Sequence, residues 1–261
     1  MAEQKQKTYW KSFLGIPIYK IDWHWKRFLY KTFGFTFDKL KSQEVYWNTR
    51  GVSYYSEFFD SEYYKYEIFF QDLLIKELKN LNFSSFFEAG CGFGWNVKRV
   101  KKEFSAVRIG GLDFSAPQLE NSKKYLPEIE MPFKVGDACA MPFEDDAFDV
   151  GFTMGVFMNI HASKIDKAID EMCRVAKKYV VHIEWDQNNT TPVLREKRIF
   201  KTNIVSHDYK KLYEARGKKV LKFLTYKDFT QDFAKRFPTT KVGTWEQFEG
   251  PEKYTVTIVE I

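Results

Sequence analysis

The sequence predicts an α/β fold, a mostly parallel sheet covered by helices on both faces, and three observations predict it. From residue 83 onward, short apolar runs alternate with helical stretches, which is the rhythm of β-α units in a parallel sheet. The first of these runs, Phe86-Phe87-Glu88-Ala89, passes straight into Gly90-Cys91-Gly92-Phe93-Gly94, and Asn96-Val97-Lys98-Arg99-Val100 then opens a helix. Glycine permits positive φ and close backbone approach, so this is a strand running into a ligand-cradling turn. Finally, a length of 261 residues suits one large domain with an appended arm.

The elements follow in order. Residues 1–41 form the arm, with nine Lys/Arg against three Asp/Glu, so that this segment holds the whole of the chain's net charge of +6. It is also crowded with aromatics, among them Trp10, Trp23, Trp25, Phe28 and Phe33, unlike an aromatic-poor disordered tail. Residues 42–81 are predicted as cap helices, with Phe69, Leu73, Leu74 and Leu78 on one apolar face. The core spans 82–261, with strands near 83–88, 107–113, 132–136, 148–154 and 178–184 and helices over 95–104, 116–125 and 163–177. Ser115 followed by Gln118 fits a capping box for the second of these helices. Residues 185–206 read as a loop or helix over the sheet edge, and 207–216 as a helix. Two strands, 241–248 and 254–261, flank the turn Glu249-Gly250-Pro251. That makes seven strands.

Composition narrows the setting. There is no apolar run long enough to span a bilayer, and Met1 to Lys7 lack the pattern of a secretory leader, so the expected location is the cytoplasm. Cys91, Cys139 and Cys173 have no C-x-x-C spacing, and they read as reduced, space-filling thiols with no metal role.

The glycine spacing decides between ligands. A dinucleotide turn is G-x-G-x-x-G/A, but the position that should be small is Trp95, and no G-K-[ST] follows for a P-loop. The phrase Glu88-Ala89-Gly90-Cys91-Gly92-Phe93-Gly94 resembles motif I, E/D-x-G-x-G-x-G, of class I S-adenosylmethionine-dependent methyltransferases. Asp113 in Gly110-Gly111-Leu112-Asp113-Phe114-Ser115, the segment Gly136-Asp137-Ala138, the acid-rich turn 141–150 with Gly151 to Val156 after it, and Glu171-Met172-Cys173-Arg174-Val175 are similar to the family's later segments, in order.

The resemblance implies a Rossmann-like seven-stranded fold and S-adenosyl-L-methionine as cofactor. It implies that Glu88 favours the cationic amino-acid part, with Gly90, Cys91, Gly92 and Gly94 lining the cleft. Asp113 would take the ribose hydroxyls, Asp137 and the Ala138 amide the adenine, Phe114 would flank the ring, and Met154 would border the methyl-transfer position. A cap helix carrying Tyr46-Trp47-Asn48-Thr49-Arg50-Gly51 and Tyr54-Tyr55 precedes the core, and there Arg50 would pair with the cofactor carboxylate while Trp47 closes the pocket.

A hydroxyl acceptor needs a base. His207 with Asp208, His161, and Glu184 are the candidates, with Asn159 as a substrate-orienting residue. Asn159 stands where similar sequences carry His in a Val-Leu-Met-His-Ile phrase. His182, alternating with Val181 and Ile183, reads as a core residue. The loose similarity to surface-glycan methyltransferases suggests O-methylation of a small molecule or a glycan hydroxyl. RNA, a lipid-linked substrate, and a non-catalytic cofactor-binding protein of the same fold are the alternatives. The arm has three readings, as a lid on the catalytic domain, as a contact with an anionic membrane surface, or as a nucleic-acid contact.

Overall fold

The computed structural model describes residues 12–13, 16–35, 43–60, 63–128, 133–202, 204–237 and 254–261. The described chain opens on a two-stranded antiparallel pair, β1 (Ser12–Phe13) and β2 (Ile16–Pro17), and continues into helices α1 (Ile18–Phe33), α2 (Gln43–Asp60) and α3 (Tyr63–Leu78). The core alternates β3 (Ser85–Ala89), α4 (Trp95–Glu103), β4 (Arg108–Asp113), α5 (Ala116–Tyr125), β5 (Phe133–Val135), β6 (Phe148–Met154), α6 (Ile165–Val175) and β7 (Ala176–Glu184). Then come α7 (Pro192–Thr202), α8 (Tyr209–Glu214), β8 (Lys219–Leu224), α9 (Tyr226–Arg236) and β9 (Thr255–Glu260).

The sheet has seven strands in the order β5-β4-β3-β6-β7-β9-β8. The first five are parallel and β9 is antiparallel to both of its neighbours. Every residue of β3 and β6 is buried, because helices cover both faces of the sheet centre and leave no polar side to the strands. The edges are different. Lys134 on β5 and Lys219 on β8 stand exposed, charges that discourage edge-to-edge pairing with other chains. The chain runs β3, β4, β5 in one direction and β6, β7 in the other, so the order reverses between β3 and β6. That reversal opens a crevice beyond the strands' C-terminal ends.

Two expectations are corrected. The Ser115 side chain does not cap α5: its hydroxyl donates to the Trp47 carbonyl at 3.1 Å, while its amide donates to Asp113 Oδ1. Docking of the cap helix outcompetes the local capping box, and the reciprocal box forms at Thr225 and Asp228 of α9. The outer strand beside β9 is β8 at 219–224, which lies in a stretch with no predicted strand, as α9 lies in one with no predicted helix. With lysines at 219 and 222 and only partial burial, an edge strand lacks the apolar run that marks the central ones. The strand predicted at 241–248 lies outside the described residues. The unassigned segment 185–206 contains a short 3-10 turn, Gln187–Asn189, and then α7.

The larger core cluster joins α3, α4, α9 and one face of the sheet. Phe70, fully buried, packs on Phe69, Phe229 and Tyr254 with ring centroids 5.3, 5.7 and 5.2 Å away. Phe70→Ala is therefore expected to cost about 3–5 kcal/mol of stability, read as a lower urea midpoint with an unchanged slope. On the opposite face His182 lies between Thr153 Oγ1 at 2.6 Å and the Tyr213 hydroxyl at 2.7 Å. Burial, helped by His207, pushes its pKa down to about 3, so it is a neutral core imidazole.

Candidate active site at the strand crossover

The turn after β3 is pinned to β4. The amides of Gly90 and Cys91 both donate to the Leu112 carbonyl, at 2.6 and 2.9 Å, and the Gly94 amide closes back on the Cys91 carbonyl at 2.8 Å. A Cβ on Gly90 would collide with the Val156 side chain. Gly92 differs in kind: its φ of +53° disfavours any other residue, and a Cβ there would meet nothing nearer than the Gln118 amide group at 3.9 Å. The space over Gly92 is thus open for a ligand to approach the backbone.

Two carboxylates face this turn from adjacent strands. Glu88, near the end of β3, is buried, and its Oε1 accepts from Asn96 Nδ2 at 2.7 Å. Asn96 is held in turn by Gln71 Nε2 of α3 at 3.1 Å. Glu88 Oε2 is buried with no hydrogen-bond partner among the described residues. Burial, opposed by the Asn96 bond and reinforced by the charges of Asp113 and Glu67, pushes the Glu88 pKa up to about 8. Asp113 ends β4, and its Oδ2 accepts from the Gly92 amide at 2.9 Å and its Oδ1 from the Ser115 amide at 2.8 Å. Burial lifts its pKa to about 6 against those two bonds. Each Asp113 oxygen retains a second lone pair, so the group can accept two further donors side by side.

The cap closes over the turn. Gly51 of α2 lies so near α5 that a Cβ would sit 2.8 Å from Ser115 Oγ, and its carbonyl accepts from Asn121 Nδ2 at 2.8 Å. Phe93 of the turn packs edge-on to Tyr55 and Phe58, with centroids 5.2 and 5.4 Å away. Arg50 Nη1 donates to the Tyr46 hydroxyl at 2.6 Å, pairs with Glu57 at 3.4 Å, and lies over the Tyr54 ring at 5.1 Å and the Trp47 ring at 5.6 Å. Tyr54 is buried enough that its hydroxyl pKa rises, with the charges of Glu67 and Asp113 adding to the effect of burial.

The remaining candidates line the same rim or the loops beyond it. Gly136 donates its amide to the Asp113 carbonyl at 3.1 Å, which brings Asp137 beside β4, where its Oδ1 accepts from the Cys139 amide at 2.8 Å. Ala138 is half-buried against the second core cluster, Phe114 is half-buried after β4, and Met154 is buried at the end of β6. The acid-rich turn is clamped by Arg174, which bonds Glu171, Asp145 and the carbonyls of Met141 and Phe143.

Each of the five catalytic candidates is held by hydrogen bonds within the chain. His207 Nε2 contacts the Ile160 carbonyl at 3.0 Å, and burial lowers its pKa. Asp208 caps α8 through the Lys211 amide at 3.0 Å and accepts from Gln187 at 2.7 Å. Asn159 donates to the Gly155 carbonyl at 3.0 Å, and the exposed His161 meets Ser163 Oγ at 2.9 Å. Glu184, fully buried at the end of β7, accepts from the amides of Val156, Phe157 and Met158 at 2.9, 3.0 and 3.3 Å. It thereby anchors the loop that carries Asn159. Burial, against those bonds, raises its pKa to about 7.

Sequence reasoning missed Gln71 and Glu67. Both are buried polar residues on the core-facing side of α3, between Phe70 and Leu74 or one turn before them. A polar side chain interrupting an apolar stripe was the available signal.

An open sheet with this strand order, a glycine turn after its first core strand and acids ending the first two defines the class I methyltransferase fold. Residues 86–179 match the family described as "Methyltransferase domain", and the sheet they belong to has the class I S-adenosylmethionine-dependent methyltransferase fold. Among relatives, a demethylmenaquinone methyltransferase of Staphylococcus aureus is 32% identical over 146 residues, covering 53% of this chain and 58% of its own. A botryococcene C-methyltransferase of Botryococcus braunii is 32% identical over 114 residues, 39% of this chain and 29% of its own. The chain thus spans about a third to somewhat over half of the relatives it matches. A geranyl diphosphate methyltransferase structure with geranyl diphosphate and sinefungin superposes with a TM-score of 0.56 at 16% identity, covering 73% of this chain and 76% of that one. The [4+2]-cyclase SpnF shares the fold at a TM-score of 0.52 and 19% identity, covering 73% of this chain and 80% of that one.

Proposed function

We propose that the protein transfers a methyl group from S-adenosyl-L-methionine to a small, predominantly apolar acceptor. One observation carries the cofactor assignment: two buried carboxylates with unused acceptor capacity, Glu88 and Asp113, flank an open glycine at the strand crossover. In this reading the free Glu88 oxygen takes the cationic amino-acid end, and the backbone from Gly90 through Cys91 and Gly92 to Gly94 lines the cleft. Asp113 accepts both ribose hydroxyls. Asp137 and the Ala138 amide meet the adenine edge with Phe114 beside the ring, Met154 borders the methyl position, and Arg50 with Trp47 closes on the carboxylate from the cap. When bound, the cofactor supplies an electrophilic sulfonium methyl for in-line displacement. The chain's contribution is to align the acceptor and exclude water.

The apolar acceptor is inferred from the rim beyond β6. There the Tyr254 hydroxyl and the Met158 methyl converge on Gly155, within 3.0 and 3.6 Å of where its Cβ would stand, and the Trp185 ring lies 6.1 Å from that of Tyr254, all three packed in the larger apolar cluster. The names of relatives agree, since they include a squalene methyltransferase and a sterol 24-C-methyltransferase. A second reading, O-methylation of a hydroxyl on a small molecule or glycan, has one observation in its favour. His161 presents an exposed imidazole two residues past Asn159, available as a base.

Incubating the protein with methyl-labelled cofactor and cell extract tests both readings. Label is expected in the organic-soluble fraction. Label in a water-soluble glycan that disappears in His161→Ala would select the second reading, and binding of S-adenosylhomocysteine with no transfer to either fraction would leave a non-catalytic cofactor-binding protein. No binding of S-adenosylhomocysteine by calorimetry would sink the assignment altogether.

A further inference from the structure

We propose that the exposed aromatic face of α1 docks on an anionic lipid bilayer surface. Trp25, Phe28, Phe33 and Phe35 are 58, 53, 61 and 58% exposed. They are also contiguous, with centroids 5.9 Å apart between Trp25 and Phe28, 6.5 Å between Phe28 and Phe33, and 6.0 Å between Phe33 and Phe35. Single exposed apolar residues are ordinary, but four large rings in one continuous patch mark an interaction surface. Gly34 builds its far end. With φ of +70° and its amide bonded to the Tyr30 carbonyl at 2.8 Å, it ends the helix in the left-handed conformation and lays Phe35 beside Phe33.

Charge selects the occupant. The α1 sequence holds Lys20, Lys26, Arg27 and Lys31 against Asp22, inside an arm that carries the chain's entire net charge of +6. Arg27 and Lys31 pair with Glu196, but the arm keeps a large net excess of positive charge, and aromatic rings within such a segment suit an anionic headgroup interface, where the rings enter the acyl boundary. Single-stranded nucleic acid would need ring faces free for base stacking. Here Trp25 and Phe28 stack on each other at 24° and Phe33 meets Phe28 edge-on at 86°, an arrangement better suited to a wedge than to a set of platforms.

The rest of the helix fixes the wedge to the catalytic domain. Arg27 Nε and Nη2 bond Glu196 Oε2 at 3.2 and 3.1 Å, and Lys31 reaches Glu196 Oε1 at 3.3 Å. Glu196 lies on α7, which follows the segment leaving the C-terminal end of β7. The patch is therefore tied to the side of the sheet where the crevice opens. Docking there would hold the crevice near the bilayer, although the docking itself does not depend on the methyl-transfer reading.

The test uses the full chain in co-sedimentation with vesicles of phosphatidylcholine alone and of phosphatidylcholine with phosphatidylglycerol. Binding is expected to the anionic vesicles and to weaken as salt is raised. The double variant Trp25→Ala/Phe28→Ala should bind about tenfold more weakly or worse, and so should the separate exposed-site variant Phe33→Ser. Circular dichroism and unchanged thermal unfolding establish that both variants fold. The proposal is overturned if the wild type stays in solution with anionic vesicles, or if both variants bind as tightly as it does. It is equally overturned if the patch instead holds two copies of the chain together, seen as a dimer that the double variant splits without any vesicle binding. RNA binding that the variants lose, in the absence of vesicle binding, would also overturn it. Calorimetry with S-adenosylhomocysteine is scored separately, so failure here leaves the proposed function standing.

Discussion

Asp113→Ala is expected to weaken S-adenosylhomocysteine binding by about 10²–10³-fold in calorimetry, with far-UV circular dichroism unchanged. The carboxylate does two jobs at once. It fixes the cradle, because Gly92 and Ser115 both donate their amides to it, and in the proposed complex its remaining lone pairs accept the two ribose hydroxyls. Hydrogen bonds to a charged group contribute about 1.5–3 kcal/mol each, so losing the pair removes about 3–6 kcal/mol at most, and the expected range takes the lower part of that because water can replace the carboxylate at the freed hydroxyls. Asp113→Asn separates the two jobs. Its single carbonyl oxygen can keep only part of the acceptor set, so binding should fall between the wild type and the alanine variant. Near-wild-type affinity in Asp113→Ala would place the ligand elsewhere.

Cofactor-analogue binding is expected to tighten as pH rises from about 6 to about 7.5, approaching tenfold per pH unit, and Glu88→Gln should flatten that slope. The sign follows from Glu88. Its pKa in the folded protein, about 8, lies above the ordinary 4.5, so at neutral pH the unliganded site holds a neutral acid. A bound ammonium favours the carboxylate, which requires releasing a proton, and lower proton concentration favours the release. Calorimetry in two buffers of different ionisation enthalpy should detect the proton directly. A flat profile in the wild type would remove Glu88 from the cofactor site.

The same displacement governs stability without ligand. Glu88, Asp113, Glu184 and Asp186 are all raised by burial, to about 8, 6, 7 and 6. Each makes the folded chain bind protons more tightly than the unfolded chain does. Their contribution is therefore present at acid pH and is lost as pH climbs from the ordinary carboxylate range through those values, by up to ~1.4 kcal/mol per group per pH unit. Glu171 acts in the opposite direction, since the Arg174 bond holds its pKa low and its contribution is lost on acidification. The melting temperature of the unliganded protein should thus decline between about pH 5 and about pH 8, and bound S-adenosylhomocysteine should flatten the decline.

Much of the fold was legible in the chain because the features that encode it are local. The runs at 83–88, 107–113 and 148–154 are apolar without alternation because their strands are buried on both faces, and they fall on β3, β4 and β6 to within two residues. The three alternate glycines announced the turn because only glycine takes its backbone without strain, as at Gly92. The edge strand β8 was not legible, since it is lysine-bearing and half-exposed and carries no comparable signature. The surroundings of the candidate base residues were not legible for a related reason: His207 contacts the Ile160 carbonyl, 47 residues away in the chain, and Asp208 accepts an amide at the start of α8.

By itself, then, the sequence determined the strand-turn-helix unit with Glu88 at its rim, the acid at Asp113, the class of cofactor they suit, and the concentration of positive charge and aromatic rings in the arm. Only the tertiary structure decided how these parts are used. It left one Glu88 oxygen without a donor among the described residues by committing the other to Asn96, turned Ser115 from a helix cap into a dock for the cap helix, and gathered four rings of the arm into one exposed patch. The physical reason is range. Backbone preference and hydrophobic period act over a few residues and can be read along the chain, whereas burial, hydrogen-bond partnership and pKa depend on groups that folding brings together from distant positions.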